Sequence, residues 1–234
     1  MRIGEVLRGA ADIVMPRTCP VCGKVLHGDE RYLCRMCLEQ LPRTFFERTK
    51  FNAMEQLFAG KTRVERAAAY FWYEKWSDYS RIIIDMKYHN RPNLGRWLAR
   101  RAATEMADWG FFDGIDCMTA VPLHSFKRAA RGYNQSEYIA RGIGDVTGLE
   151  LVKALRARSH ETQTHKDVFQ RMENARDIYR ASSRAAQQLA GKHVLIVDDV
   201  VTTGATLLAC AESLAGIPGI KVSVLTLAAA RLDA

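Results

Sequence analysis

Between His193 and Leu214 the chain reads Val194-Leu195-Ile196-Val197, then Asp198-Asp199, then Thr202-Thr203-Gly204-Ala205-Thr206, then Leu207-Leu208-Ala209-Cys210-Ala211-Glu212-Ser213-Leu214. Four aliphatics with no polar alternation predict a strand covered on both faces, the central strand of a parallel sheet packed between helices. The apolar steps after Thr206 predict a helix. Strand, short hydroxyl- and glycine-bearing turn, and helix in that order require an α/β architecture.

The same stretch has a chemistry. Two carboxylates stand at the carboxyl end of the strand, the edge at which open α/β sheets bind ligands. The backbone N–H groups from Val201 and Thr202 through Thr206 open the helix, where the first donors lack intrahelical partners and the dipole favours an anion. Gly204 lets the main chain approach an oxygen closely, and the Thr202, Thr203 and Thr206 hydroxyls add donors. That set fits a phosphate. Acceptor-only Asp198 and Asp199 suit vicinal hydroxyls, or a magnesium ion held partly through water. Phosphate donors beside hydroxyl acceptors describe a ribose 5-phosphate. An ordinary buried strand capped by Asp and Thr explains any three of these residues but not their whole order.

Length allows one α/β domain plus a small accessory module in 234 residues, and 48% hydrophobic residues support a core. The net charge of +8 points to anionic partners without choosing among nucleotide, nucleic acid and membrane headgroups. Its distribution says more: Val121 to Arg184 holds twelve Lys or Arg against seven Asp or Glu, so this stretch carries +5 of the excess. No apolar run approaches the roughly 20 residues that span a bilayer, and Glu5 and Asp12 interrupt the apolar residues of an N-terminal helix expected over Met1 to Met15. A cytoplasmic location without membrane insertion is expected.

In a reducing compartment six cysteines do not pair. Cys19-Pro20-Val21-Cys22-Gly23 and Cys34-Arg35-Met36-Cys37 have instead the spacing of a tetrahedral structural zinc site with four thiolates and no open position. A redox dithiol is the rival reading. A segment this short buries too little to fold alone, so the metal supplies stability. Residues 1–45 are expected to form this module, with His27 as surface. Residues 46–63 form a linker or helix across the main domain, which runs from 64 to 234.

Along that domain Ala67 to Tyr73 predicts a first strand, and Ser77 to Asn90 a helix capped by Ser77 or Asp78. Asn93 to Trp109 predicts another helix, whose Arg96, Arg100 and Arg101 read as solvated surface. Gly114 to Pro122 and Leu149 to Leu155 predict further strands, and Ile220 to Ala228 a last one. The loop after Pro122 carries Lys127, Arg128 and Arg131 before a helix Ser136 to Ile143. Those cations, with Lys87, suit the diphosphate half of the same ligand, since a guanidinium can grip phosphate oxygens bidentately. A basic loop over solvent is the plain alternative. Arg156 to Arg176 is long and polar, as in a lid that excludes water.

The Asp198 to Thr206 stretch resembles the phosphoribosyl-diphosphate (PRPP) loop of type I phosphoribosyltransferases. Nearly the whole chain resembles the ComF family, an N-terminal zinc ribbon joined to a phosphoribosyltransferase domain. The carrying residues are Cys19, Cys22, Cys34 and Cys37, then Val121-Pro122-Leu123-His124, Arg128, Arg131-Gly132-Tyr133-Asn134-Gln135, then Gln163, Arg171 and Asn174, and the acidic loop itself. Where family members usually have Thr three residues before the Gln, this chain has His160. The resemblance implies PRPP bound with magnesium, structural zinc, and a role in competence, the uptake and internal handling of single-stranded DNA, with a competence helicase as a further partner. Tyr32, Arg35, Phe45 and Phe46 are candidate contacts for such a strand, with core as the other use of the Phe pair. A catalytically active transferase in nucleotide salvage or synthesis is the alternative function. In it Lys127, Arg128 and Arg131 stabilise departing diphosphate, and no hood for an acceptor is evident.

Overall fold

The computed structural model describes residues 16–157 and 178–231. The expected N-terminal helix, Gln163, Arg171 and Asn174 lie outside these residues. Five parallel strands form the core sheet: β1 Ala67–Tyr73, β2 Cys117–Ala120, β3 Glu150–Leu151, β6 His193–Val201 and β7 Lys221–Ala230, in the spatial order β1-β7-β6-β2-β3. Val194 to Val197 and Val222 to Ala229 are buried throughout, which is why these strands read as continuous apolar runs. β4 Leu155–Ala157 and β5 Tyr179–Ala181 pair antiparallel as a separate ribbon. The strand expected over Leu149 to Leu155 is therefore two elements. Val152 N–H still bonds to the Met118 carbonyl, and the chain leaves the sheet after it.

The helices are α1 Arg35–Glu39, α2 Ala53–Gln56, α3 Ser80–Tyr88, α4 Pro92–Ala107, α5 Ser125–Arg131, α6 Gln135–Thr147, α7 Ser183–Leu189 and α8 Ala205–Ala215. α3 starts later than expected, with Tyr79 at the N-cap and no side-chain cap bond, so neither Ser77 nor Asp78 caps it. α4 starts on Pro92, whose fixed φ suits the first helical position. α6 is capped by Asn134, whose side-chain oxygen accepts from Ser136 N–H while its amide donates to the Val121 carbonyl at 2.9 Å. One residue thus caps the helix and ties it to the end of β2. Gly142 gives α6 its close seat on α4, because a Cβ there would stand 2.2 Å from the Arg96 carbonyl oxygen.

The segment before β1 lies along that strand's outer edge, with Trp72 N–H bonded to the Pro42 carbonyl and Thr44 N–H to the Tyr70 carbonyl. Asn52 then caps α2 and donates its amide to the carbonyls of Phe46, Thr49 and Ala67. A buried polar side chain satisfied this fully holds the linker in one place. Phe46 goes into the core, whereas Phe45 is exposed in the left-handed region at φ 57°, so the Phe pair divides.

Candidate functional site

Strand order locates the site. After β6 the chain passes through α8 to β7 on one side, and after β2 it passes through α5 and α6 to β3 on the other. The carboxyl ends of adjacent β2 and β6 are thus a topological switch point, where a crevice opens in sheets of this kind. A cleft of about 420 Å³ lies there. Its walls include Asp198, Asp199, Thr202 and Thr206 from the β6 side, Lys127, Arg131 and Gln135 from the β2 side, and Lys87 from α3.

β6 runs through both carboxylates to Val201, because Asp198, Val200 and Val201 keep partners Thr226, Ala228 and Ala229 on β7. Alternation along the strand then separates the two acids. Asp198 Oδ1 accepts from Ser136 Oγ at 2.8 Å and from Asp199 N–H at 2.9 Å. Asp199 Oδ2 lies 3.0 Å from Lys87 Nζ. Burial first, and the Asp199 carboxylate second, push the Asp198 carboxyl up to about 7, against those two hydrogen bonds. Burial also pushes the phenol of Tyr179, another wall residue, up to about 12, so it remains a neutral donor.

The turn after β6 leaves backbone donors without partners at the start of a helix. Gly204 is the N-cap of α8 at φ 76°, a conformation that favours glycine, and Leu57 from the linker packs on it, 3.1 Å from where a Cβ would be. The Thr203 and Gly204 amides have no hydrogen-bond partner among the described residues, and Ala205 N–H meets only Thr203 Oγ1 at 3.4 Å. Thr202, Thr203, Ala205 and Thr206 are exposed, and Val201 is buried in the sheet.

On the facing wall, the stretch expected as a basic loop is the short helix α5, ended by Gly132 in the left-handed region. Helical spacing separates its cations. Lys127 and Arg131 face the cleft, whereas Arg128 is absent from its walls and lies 3.4 Å from Glu137. Lys87 is held in place from two directions. Asp85 binds His89 at 2.7 Å and Arg91 at 3.0 Å, which closes the end of α3, and Tyr133 OH donates to the Met86 carbonyl at 2.6 Å. Arg91 is thereby a structural partner of Asp85.

Gln135 is a wall residue whose place in the sequence does not single it out as a ligand. It is 2% exposed and its amide nitrogen is buried with no partner among the described residues, an orphan donor beside Ser136 and Asp198. Sequence holds two signals for it, its place directly after the Asn134 cap and its membership of the Arg131-Gly132-Tyr133-Asn134-Gln135 stretch that resembles the ComF family.

The four cysteines come together away from the cleft, all four Sγ within 4.8 Å of one another. Cys22 Sγ and Cys34 Sγ are 3.7 Å apart, close to the edge of about 3.8 Å for a tetrahedron with Zn–S of about 2.3 Å. Gly23 at φ 73° turns the first knuckle so that its N–H reaches the Cys19 carbonyl, and Cys34 Sγ caps α1. The Lys24 N–H holds the Cys22 thiol down at about 7, which suits a thiolate ligand. This cluster fits a zinc ion. The module docks on the main domain through Tyr79 OH to the Cys37 carbonyl and through Tyr32 against Trp97, and His27 is exposed.

A phosphoribosyl transferase domain model matches residues 130–232. The DNA utilization protein YhgH of Salmonella typhi is 30% identical over 147 residues, covering 59% of this chain and 63% of the relative. Competence protein F of Haemophilus influenzae is 28% identical over 133 residues, covering 54% of this chain and 57% of the relative. The chain therefore spans somewhat under two thirds of the length of these relatives. Among solved structures, the glutamine PRPP amidotransferase of B. subtilis is 22% identical and covers 58% of this chain and 26% of its own, and its TM-score of 0.37 is too low to carry an argument. No helix among the described residues is long and apolar enough to cross a membrane.

Proposed function

Starting from a ComF-type family, which the relatives and the phosphoribosyltransferase domain support, we propose that the chain binds PRPP with magnesium in the β2–β6 cleft and acts in handling single-stranded DNA. One observation carries the ligand reading: the unpartnered Thr203 and Gly204 amides lie in the turn between Thr202 and Thr206, two walls of the cleft that also holds two adjacent carboxylates and three cations from other elements. The amides of Thr203 to Thr206 take the 5-phosphate, and the carboxylates of Asp198 and Asp199 accept from the ribose hydroxyls. Lys87, Lys127 and Arg131 surround the diphosphate. The Asp198 and Asp199 oxygens would hold a hard cation that takes oxygen ligands, and magnesium held there would supply charge neutralisation for the diphosphate.

A transferase needs more than this grip. Loss of diphosphate leaves positive charge on the ribose, and cations fixed around the leaving group favour that step by electrostatic preorganisation. Turnover also needs an acceptor held over C1. The aromatic and imidazole groups at the mouth, Tyr73, Tyr88 and His124, offer surfaces for a planar base, which favours keeping the active transferase as a second reading. DNA handling follows the names of the relatives, DNA utilization protein and Competence protein F.

The test is titration calorimetry of the intact chain with PRPP and magnesium, repeated on Asp198→Asn/Asp199→Asn, followed by assay of diphosphate release with a panel of bases. Binding lost in the double variant supports the site. Diphosphate release with any base establishes a transferase, and binding without release for every base favours a ligand-responsive DNA handler.

A further inference from the structure

A second cationic recess lies at the seam between the zinc module and α4 and shares no wall residue with the cleft. Trp97, Arg100, Arg101 and Thr104 step along one face of α4 at helical spacing, and Arg31 of the zinc module stands across from them. With Glu105 and Val146 they line about 480 Å³. Arg31, Arg100 and Arg101 form no ion pair among the described residues. The nearby acids are already engaged: Glu105 holds Arg43 through both oxygens, at 2.9 and 3.0 Å, and accepts from Tyr70 OH, and Asp145 is held bidentately by Arg96.

The aromatic groups are arranged to match. The Arg101 guanidinium stacks 4.9 Å from the Trp97 ring, Tyr32 packs against that indole at 5.6 Å, and Arg31 lies over Tyr32. Unpaired cations interleaved with stacked planar groups are what a single strand of nucleic acid requires, phosphates on the arginines and bases on the flat faces. The adjoining recess of about 340 Å³ adds Arg35 but also Asp29, Glu30 and Glu39, so the phosphates belong at the α4 end.

We infer that this seam is a binding track for a single-stranded phosphodiester chain, with Arg31, Arg100 and Arg101 on phosphates and the Arg101–Trp97 pair against a base. The inference rests on the DNA-handling reading and assigns it a place outside the PRPP cleft. It also relates the metal to the track, since the zinc module holds Arg31 and Tyr32 opposite α4.

The experiment measures affinity of the intact zinc-loaded chain for a fluorescent oligothymidylate against salt. It compares the parent, Arg31→Gln/Arg100→Gln/Arg101→Gln and the corresponding triple Lys variant, with PRPP calorimetry on each. Three contacts on a single strand give a log–log slope of about −2, an affinity loss of about 20-fold from about 50 to 200 mM salt. The Gln variant is expected to lose that part of the slope and the Lys variant to keep it, both with parental PRPP binding. Equal slopes in parent and Gln variant overturn the track while leaving DNA handling standing, and a parent that binds no single strand overturns both. A matched oligoribonucleotide bound more tightly, with the same loss in the Gln variant, supports the track and makes RNA its source. Equally effective competition by polyglutamate overturns it in favour of an acidic protein.

Discussion

Replacing Asp198 by Asn should change both ligand binding and stability with pH, in opposite senses. The carboxyl is pushed up to about 7, chiefly by burial and then by Asp199, so near neutrality it is half protonated. A ribose hydroxyl or magnesium ion needs the ionised form, and a proton competes with it. With a midpoint at about 7, competition weakens PRPP binding about tenfold between about pH 8 and pH 6. The carboxamide of the Asp198→Asn variant cannot ionise, and the ligand's own phosphate titration is common to both proteins. The parent-to-variant affinity ratio should therefore rise about tenfold over that range. Folding has the reverse sign. The unfolded carboxyl ionises near 3.9 and the folded one near 7, so between those values the native state holds the extra proton and stability falls as pH rises. At 1.36 kcal/mol per pH unit the limit is about 4 kcal/mol. Asp198→Asn should match the parent near pH 4 and exceed its stability by a few kcal/mol near pH 8, measured by urea unfolding. A level affinity ratio, or a variant no more stable than the parent at pH 8, refutes the reasoning.

Other substitutions test other parts of the site. Arg128→Gln should leave PRPP affinity within about twofold because Arg128 turns to Glu137, whereas Arg131→Gln or Lys127→Gln should cost about 1–3 kcal/mol of binding by calorimetry; the reverse ranking contradicts the assignment of the walls. Gly204→Ala should destabilise the chain by about 1 kcal/mol or more and weaken the ligand further, since φ is 76° and Leu57 leaves little room; unchanged melting removes the argument. Cys37→Ser should abolish binding of one zinc per chain and expose the seam with α4 to proteolysis, and full zinc content in that variant shows that the metal lies elsewhere.

Local chemistry makes the glycine turn between β6 and α8 and the cysteine cluster legible, because each depends on residues close in sequence. Gly204 and the cysteine knuckles need no knowledge of the rest of the fold. Strand order does not follow, since the pairing of β6 with both β2 and β7 joins residues far apart in the chain. Without it the switch point, and the approach of Lys87 to Asp199, cannot be derived. The basic stretch after Pro122 reads as a loop because His124 gives no side-chain cap and the helix is only seven residues long. Its helical twist is what sends Arg128 away from Lys127 and Arg131. Arg100 and Arg101 read as solvated surface, since only the docked zinc module turns that face of α4 into a recess.

The most direct test of the account is a crystal structure of the chain with PRPP and magnesium, read for the position of the 5-phosphate. The account places it within hydrogen-bond distance of the Thr203 to Thr206 amides, with the ribose hydroxyls on Asp198 and Asp199. A sugar phosphate bound anywhere else, or those amides still unpartnered at full occupancy, contradicts it.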